Sequence, residues 1–303
     1  MAKARFCLVV DTEADFWRYI PSPHFSRKDL IRWKVNKLLG GLRFAKGRKG
    51  LVNIVKLLKK HEFPATFTIV GHLYLKEYET PAYYEEILYE AKWLRRLIGK
   101  AWLYWDPKSN FRFYPGLYMG DFIEKEMKEP YFDLGLHAFS HESLTLESEE
   151  VVNAIIMSAV KAARTSGVKA VSFGAPFNMV EDVNDPRKVY VALKKNGIKI
   201  VRYAGKEDGL KQMHETGIKN VFNKYGMKVL QVSHYFEGTS SLLLVKKILT
   251  EIKDSIGKDV VYCLCTHDFT HKNVKNLQII LKTVKRLEKE GKIELVNMEG
   301  LLK

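Results

Sequence analysis

The sequence predicts an α/β protein: a single-domain distorted (β/α) barrel of about seven parallel strands, occupying residues 1–303. Three observations predict it. Short apolar runs without polar alternation recur along the chain, at 6–10 and 65–70 among others, as strands buried on both faces do. Helix-period segments alternate with them across short joints, the pattern of a parallel sheet with helices outside it. Polar residues gather where strands end, Asp11 and Glu13 after the first and His137 after the third. In such barrels the chemistry sits at the C-terminal ends of the strands.

Each element has its own signal. After the first strand, Trp17, Tyr19 and Phe25 lie in a polar, aromatic stretch, and Ser26 reads as an N-cap for a helix towards Gly40 and Gly41. Leu51, Ile54, Val55, Leu57 and Leu58 form an apolar helix face ending near Lys60. Pro64 precedes the strand at 65–70, which Gly71 closes. Pro81 opens a helix bearing Ile87, Leu88, Ala91, Leu94 and Leu97 on one side, stopped by Gly99. Residues 101–118 break the rhythm. Trp102, Trp105, Phe111, Phe113 and Tyr114 crowd a proline-containing loop that is either a satellite core or a sugar-stacking wall. A third strand at 131–136 runs into His137. Helix 148–165, strand 168–173, helix 186–196, strand 198–203 and a short strand at 229–232 follow. Helix 241–256, strand 259–265, helix 273–290 stopped by Gly291, and strand 293–296 complete the chain.

Composition narrows the class. With 46% hydrophobic residues in 303, the chain has enough apolar surface for a large core and is not disordered. No run of apolar residues reaches the eighteen or so needed to cross a bilayer. The first residues lack the apolar and small-residue features of a secretory signal, so the cytoplasm is the expected location. Cys7, Cys263 and Cys265 cannot all pair within the chain and read as reduced, buried thiols. Three glutamines and abundant lysine lean in the thermophile direction. Fifty basic against thirty-five acidic residues leave a net charge of +15, with much of the excess between Arg27 and Lys60. On a helix such a run is a solvated face. Without zinc-finger or RNA-binding spacing beside it, nucleic acid is not the expected partner.

The acids and histidines carry the chemistry. Strand alternation puts Cys7, Val9, Asp11 and Glu13 on one face if the extended geometry continues. Two carboxylates on one face at a buried strand's mouth repel, and a cation or a proton must relieve them. His137 and His141 are four apart, which on a helical turn puts both on one side, but so are His267 and His271, and spacing alone does not choose between the pairs. Position does, because His137 and Asp11 both sit at strand ends. A carboxylate with two imidazoles is a recurrent catalytic metal shell. Cys263, Cys265 and His267 share a strand face and form a rival, more spread-out metal set.

These segments resemble a family. The runs Val10-Asp11-Thr12-Glu13, Pro64-Ala65-Thr66-Phe67-Thr68-Ile69-Val70-Gly71, Gly135-Leu136-His137-Ala138-Phe139-Ser140-His141 and Cys265-Thr266-His267-Asp268 occur in the order of the polysaccharide deacetylases, the nodulation-protein-B homology enzymes of carbohydrate esterase family 4. The resemblance runs from about residue 6 to 302, with insertions at about 14–48 and 76–130. It implies a distorted barrel holding a divalent metal, often zinc, and metal-dependent hydrolysis of an N- or O-acyl group on a sugar or related amide. It implies Asp11 as general base, Glu13, His137 and His141 as metal ligands, and His267 as catalytic acid, with Asp11 as ligand the competing assignment. The oxyanion would need a backbone donor from the loop after Phe173, which places Pro176 and Phe177 at the substrate. Trp102, Trp105 and Tyr114 are the candidate sugar-facing aromatics.

Two departures stand out. The family's third motif usually reads Arg-x-Pro, the arginine orienting the aspartate, whereas Gly174 stands at that position in Ser172-Phe173-Gly174-Ala175-Pro176. Arg202, at the end of the next strand, is the replacement to look for. No counterpart of the fourth motif is evident, so the partner of His267 is open, with Asp182 and Asp268 as candidates. The alternatives are a barrel that keeps a metal or sugar site without turnover, and a basic nucleic-acid binder.

Overall fold

The sheet is built around β1 (Ala4–Thr12). Residues 6–10 are each no more than 1% exposed, which is why the strand reads as an unbroken apolar run. The computed structural model describes residues 3–14, 48–79, 108–181, 184–203, 221–271 and 273–303. The helices expected at 26–41 and 81–99, most of both expected insertions, Trp102, Trp105 and Asp182 lie outside the described residues.

In the described residues the elements run β1, α1 (Lys49–Lys60), β2 (Ala65–Ile69), α2 (Gly120–Glu126), β3 (Phe132–Leu136), α3 (Glu149–Thr165), β4 (Ser172–Gly174), α4 (Lys188–Lys195), β5 (Ile200–Tyr203), β6 (Val221–Lys224), β7 (Met227–Gln231), β8 (His234–Tyr235), α5 (Leu242–Asp254), β9 (Val261–His267), α6 (Lys275–Lys289) and β10 (Ile293–Val296). One curled sheet has the order β6-β7-β5-β4-β3-β2-β1-β9-β8, with β10 also against β1. Every pairing is parallel except β6 with β7. The predicted α/β barrel is thus an open half-barrel, a curled sheet with helices on its outside.

The sequence reading located most elements and missed the short ones. β7 is the short strand expected at 229–232; its hairpin partner β6 and the two-residue β8 were not expected and raise the described strands above seven. They are too short to establish a periodicity. The strand expected at 168–173 narrows to Ser172–Gly174. Ser148 and Ser241 cap α3 and α5, accepting from the amides of Val151 and Leu244.

Alternation divides β1 between two cores. Phe6, Leu8 and Val10 pack outwards against the helix layer, with Leu51, Ile54 and Leu58 of α1 and Leu277, Ile280 and Leu281 of α6 in the same cluster. Cys7 and Val9 face inwards and join Ile200, Leu230, Cys263, Cys265 and Met298 to fill the concave side. The next inward positions are polar. Strand register pairs Asp11 with Thr68 and with His267, and Gly174 with Arg202. The apolar plug therefore ends in a layer of charge at the strands' C-terminal mouth, and the site stands on packed side chains.

The opposite end is closed by Asp133. Its carboxylate accepts from Thr66 Oγ1 (2.9 Å), Ser172 Oγ (2.9 Å) and the Glu299 amide (3.2 Å), tying β2, β3 and β4 to the C-terminal turn. Burial raises this acid from 3.8 to about 6, although the hydroxyl and amide donors oppose the shift. The folded state therefore holds the Asp133 proton more tightly than the unfolded chain. Its stabilising contribution is present below pH 3.8 and is lost as pH rises through about 6. Asp133→Asn should accordingly gain on the wild type by about 2–3 kcal/mol between pH 4 and pH 7, read by urea unfolding at the two pH values. An unchanged difference between the proteins would contradict this.

Candidate active site

β1 delivers two acids to the mouth, and the structure treats them differently. Asp11 is fully engaged. Its Oδ1 accepts from Thr68 Oγ1 at 2.5 Å, and Arg202 Nη2 lies 3.1 and 2.9 Å from its two oxygens. Cys265 Sγ is 3.6 Å away. Burial pushes the Asp11 carboxyl up, but the Arg202 guanidinium, with His267 beside it, outweighs this and holds the group ionised below its usual range.

Arg202 explains the glycine in the third motif. The guanidinium is wholly buried and reaches Asp11 from β5, the neighbouring strand. A Cβ on Gly174 would lie 2.9 Å from Arg202 Nη2 and 3.0 Å from Thr68, so a side chain there would displace the arginine. The far edge of the guanidinium contacts Asn178 Oδ1 and the Tyr235 hydroxyl, which also contact each other.

Glu13 faces imidazoles instead. Its Oε1 lies 3.3 Å from His137 Nε2, 3.2 Å from His141 Nε2 and 3.6 Å from His267 Nε2. One His137 nitrogen is committed: Nδ1 stands 2.8 Å from the Gly174 carbonyl, which can only accept, so Nδ1 carries the proton. Burial pushes His137 below its ordinary basicity despite Asp11 and Glu13 beside it, favouring the neutral ring. Its Nε2 lone pair then faces a carboxylate oxygen and has no hydrogen-bond partner. Two acceptors at 3.3 Å need a positive centre between them. The ligand atoms of Glu13, His137 and His141 lie within 4.8 Å of one another and are all buried. That donor set fits a divalent cation, with the His137–Gly174 bond as the outer support such ligands carry.

The histidine pair reaches this arrangement without a helix. Ala138 and His141 adopt left-handed φ angles of 57° and 62°, so a turn, not the expected helical spacing, brings the rings to 4.9 Å between centroids. The Ser140 amide donates to Glu142 inside the turn. Lys188 of α4 is buried, with its ammonium on the Thr145 and Glu147 carbonyls, pinning the loop's far end.

His267 closes the other side. Nδ1 lies 2.6 Å from Glu237 Oε1, and Nε2 is 3.9 Å from Asp11 Oδ2. The ring stacks between Tyr235 and Phe269, at 6.0 and 5.2 Å. Burial alone would lower its basicity, but Glu13, Glu237 and Asp11 reverse this and carry it up to about 10. The imidazolium is thus the charged form at neutral pH. Glu237 is the partner the sequence left open. It follows the two-residue β8, and nothing local announces it. Asp268 is turned away, accepting from the Glu13 and Ala14 amides. His271 does not join the cluster; its Nε2 meets Thr266 Oγ1 at 2.5 Å behind the site.

The remaining expected residues divide. Phe177, with φ 56°, sets its ring edge-to-face on His141 at 4.6 Å, and Pro176 is buried before it. Tyr114 is half-buried against the hydrophobic core. All three cysteines are free and buried, and the Cys263 and Cys265 thiols are pushed up by burial, which keeps them protonated. Among the described residues, no cysteine belongs to a group that could hold a metal.

No family model matches the sequence, and no curated protein is similar enough to count as a relative. Solved structures share the fold. A protein of Mycobacterium smegmatis described as a polysaccharide deacetylase superposes with TM-score 0.59 at 12% identity, over 99% of this chain and 89% of that one. The 4-alpha-glucanotransferase of Thermococcus litoralis gives 0.56 at 14%, over all of this chain and 41% of the larger one. A GH57-type branching enzyme of the hyperthermophilic archaeon Pyrococcus horikoshii gives 0.55 at 14%, over 100% and 70%. At such identities the likeness is one of fold. The chemistry must come from the site.

The Asp11–Arg202 pair yields a stability prediction. Arg202→Met leaves a buried carboxylate without its counter-charge and should cost about 3–5 kcal/mol in urea unfolding. Adding Asp11→Asn should recover part of that loss, a coupling of about 1–3 kcal/mol. A cost for Arg202→Met below about 1 kcal/mol would show that the pair does not hold this layer together.

Proposed function

We propose that the protein is a metal-dependent hydrolase that removes an N-acyl group, acetyl or formyl, from a sugar or related amide. The observation that carries this reading is the unpartnered His137 Nε2 aimed at the Glu13 carboxylate, beside His141 and within reach of an acid and a base. Glu13, His137 and His141 would hold the cation, and two nitrogens with one oxygen favour zinc. Asp11 is the poorer ligand because Arg202 and Thr68 already occupy its oxygens. When bound, the cation supplies Lewis acidity towards water and the acyl oxygen.

The chain's own groups then account for the proton transfers. Water adds to the acyl carbon and gives its proton to Asp11, kept ionised and oriented by Arg202. The carbon–nitrogen bond breaks as His267 gives its Nε2 proton to the leaving nitrogen, so an amine departs instead of an unstable amide anion. Glu237 holds that imidazolium in place. The turn after β4 would offer a backbone donor to the oxyanion. Phe177, over His141 at the mouth, presents an aromatic edge to the substrate. Trp102, Trp105 and Tyr114 complete the proposed sugar-facing set.

A site that holds a cation without turnover was motivated by the absent motif arginine, and Arg202 removes that motive. In the described part of the basic run two of the cations are already paired, Arg48 with Asp121 and Lys59 with Glu126 and Glu129, which weighs against the nucleic-acid reading. Among the described residues no helix is long and apolar enough to cross a membrane.

Protein purified without chelator should carry about one divalent ion per chain and release acetate from N-acetylglucosamine oligomers. Asp11→Asn and His267→Ala should keep the ion and lose about 10²–10⁴-fold in kcat. His137→Ala should lose the ion as well. Failure of the zinc-loaded wild type to retain any ion would overturn the reading. Glu237→Gln should lower kcat about 10–100-fold with the ion retained, and an unchanged kcat would remove Glu237 from the machinery.

A further inference from the structure

β1 ends at Thr12, yet the carboxylate at the centre of the three imidazoles belongs to Glu13, one residue beyond. Thr12 still has its ladder bond, its carbonyl accepting from the Val70 amide at 3.1 Å. Past it the sheet offers nothing, and Glu13 and Ala14 are buried, 4% and 0% exposed. Their amides need acceptors. Both find the same one. Asp268 Oδ1 accepts from Glu13 N at 3.0 Å and Asp268 Oδ2 from Ala14 N at 3.4 Å. Ala14 has φ 54°, a left-handed conformation that an alanine adopts only where its surroundings impose it. Successive amides around a left-handed residue make a concavity for an acceptor group, and here the Asp268 carboxyl occupies it.

The aspartate is itself fixed. It is wholly buried and opens the short turn after β9. The first turn of α1 presses against that turn so closely that a Cβ on Gly50 would stand 2.0 Å from the Asp268 carbonyl oxygen. Asn53 of α1 ties the turn a second time, donating to the His271 carbonyl at 3.1 Å. The carboxyl therefore has a rigid base from which it holds the backbone of Glu13.

We infer that Asp268 is the positioning residue that turns Glu13 out of the strand and fixes its carboxylate where His137 and His141 converge. This rests on the cation site proposed above and deepens it. Asp268 touches no imidazole nitrogen of the site and holds no cation; it acts only through the backbone of the ligand. A two-point bracket on consecutive amides sets both the position and the rotation of that peptide. One acceptor would leave the Glu13 side chain free to swing about the bond.

The test is cation affinity, with Zn²⁺ alone as the probe. Wild type, Asp268→Ala, Asp268→Asn and Asn53→Ala are titrated against a chromophoric chelator, and the Co²⁺ absorption spectrum of each is recorded. Asp268→Ala should weaken Zn²⁺ binding about 10–100-fold and alter the Co²⁺ bands, although all three ligands remain. Asp268→Asn keeps the shape and one acceptor for two amides, so its loss should lie between; it decides the matter if Asp268→Ala does not fold. Asn53→Ala removes one tie of that turn but keeps the Asp268 carboxyl and the Gly50 packing, so its loss should be smaller than that of Asp268→Ala. If both Asp268 variants that fold bind like wild type, or if Asn53→Ala loses as much, the inference fails while the hydrolase reading stands. If the wild type itself binds no Zn²⁺, both fail together.

Discussion

The buried ion pair between Asp11 and Arg202 sets the terms for everything above the apolar plug. A carboxylate 2% exposed at the end of β1 would take up a proton if it were alone. The guanidinium keeps it charged, and because its Nη2 lies beside both oxygens while Nη1 is held by Asn178 and Tyr235 it also limits rotation. The pair requires an empty position on the intervening strand. Gly174 supplies it, and the register of β4 against β5 places that gap directly beside Arg202. An arginine carried on one strand thus has its space on another.

From that pair the site divides into two electrostatic halves. On one side Asp11 is satisfied by hydrogen bonds and a fixed cation, an environment that keeps it an acceptor. On the other, Glu13 faces the charged His267, the hydrogen-bonded His141 and the His137 Nε2 lone pair, which opposes its oxygen unless something positive stands between them. His267 spans the boundary, held by Glu237 behind and drawn towards both acids in front. Tyr235 links the halves, meeting Arg202 through its hydroxyl and stacking on His267 with its ring. Groups with opposed proton preferences can stand side by side here because each has a separate, buried counter-charge.

How far the residues announced this arrangement varies along the chain. The long apolar runs of β1, β2 and β9 and the amphipathic faces of α1, α3, α5 and α6 were legible, because burial on a regular element imprints a period on the sequence. Asp11, Glu13 and His137 were legible too, as polar residues at strand ends, His141 by its spacing from His137, and His267 only through the family resemblance. Glu237 was not, since its strand is two residues long, and neither was the role of Asp268, which acts through the backbone amides of Glu13 and Ala14, some 250 positions away. The pairing of histidines four apart misled in one respect. A turn with two left-handed residues, not a helix, joins His137 to His141, while His267 and His271 end on different sides of their turn.

By itself the sequence determined which residues are inside and which elements they form, because those choices rest on hydrophobic period and on caps within a few positions. It also placed the acids and histidines at strand ends. Only the tertiary structure decided which nitrogen faces which oxygen: that Arg202 fills the place left by Gly174, that Glu237 stands behind His267, and that Asp268 turns Glu13 towards the imidazoles. Such contacts depend on the register between strands distant in sequence and on hydrogen bonds a few ångströms long. Neither leaves a periodic trace in the order of amino acids.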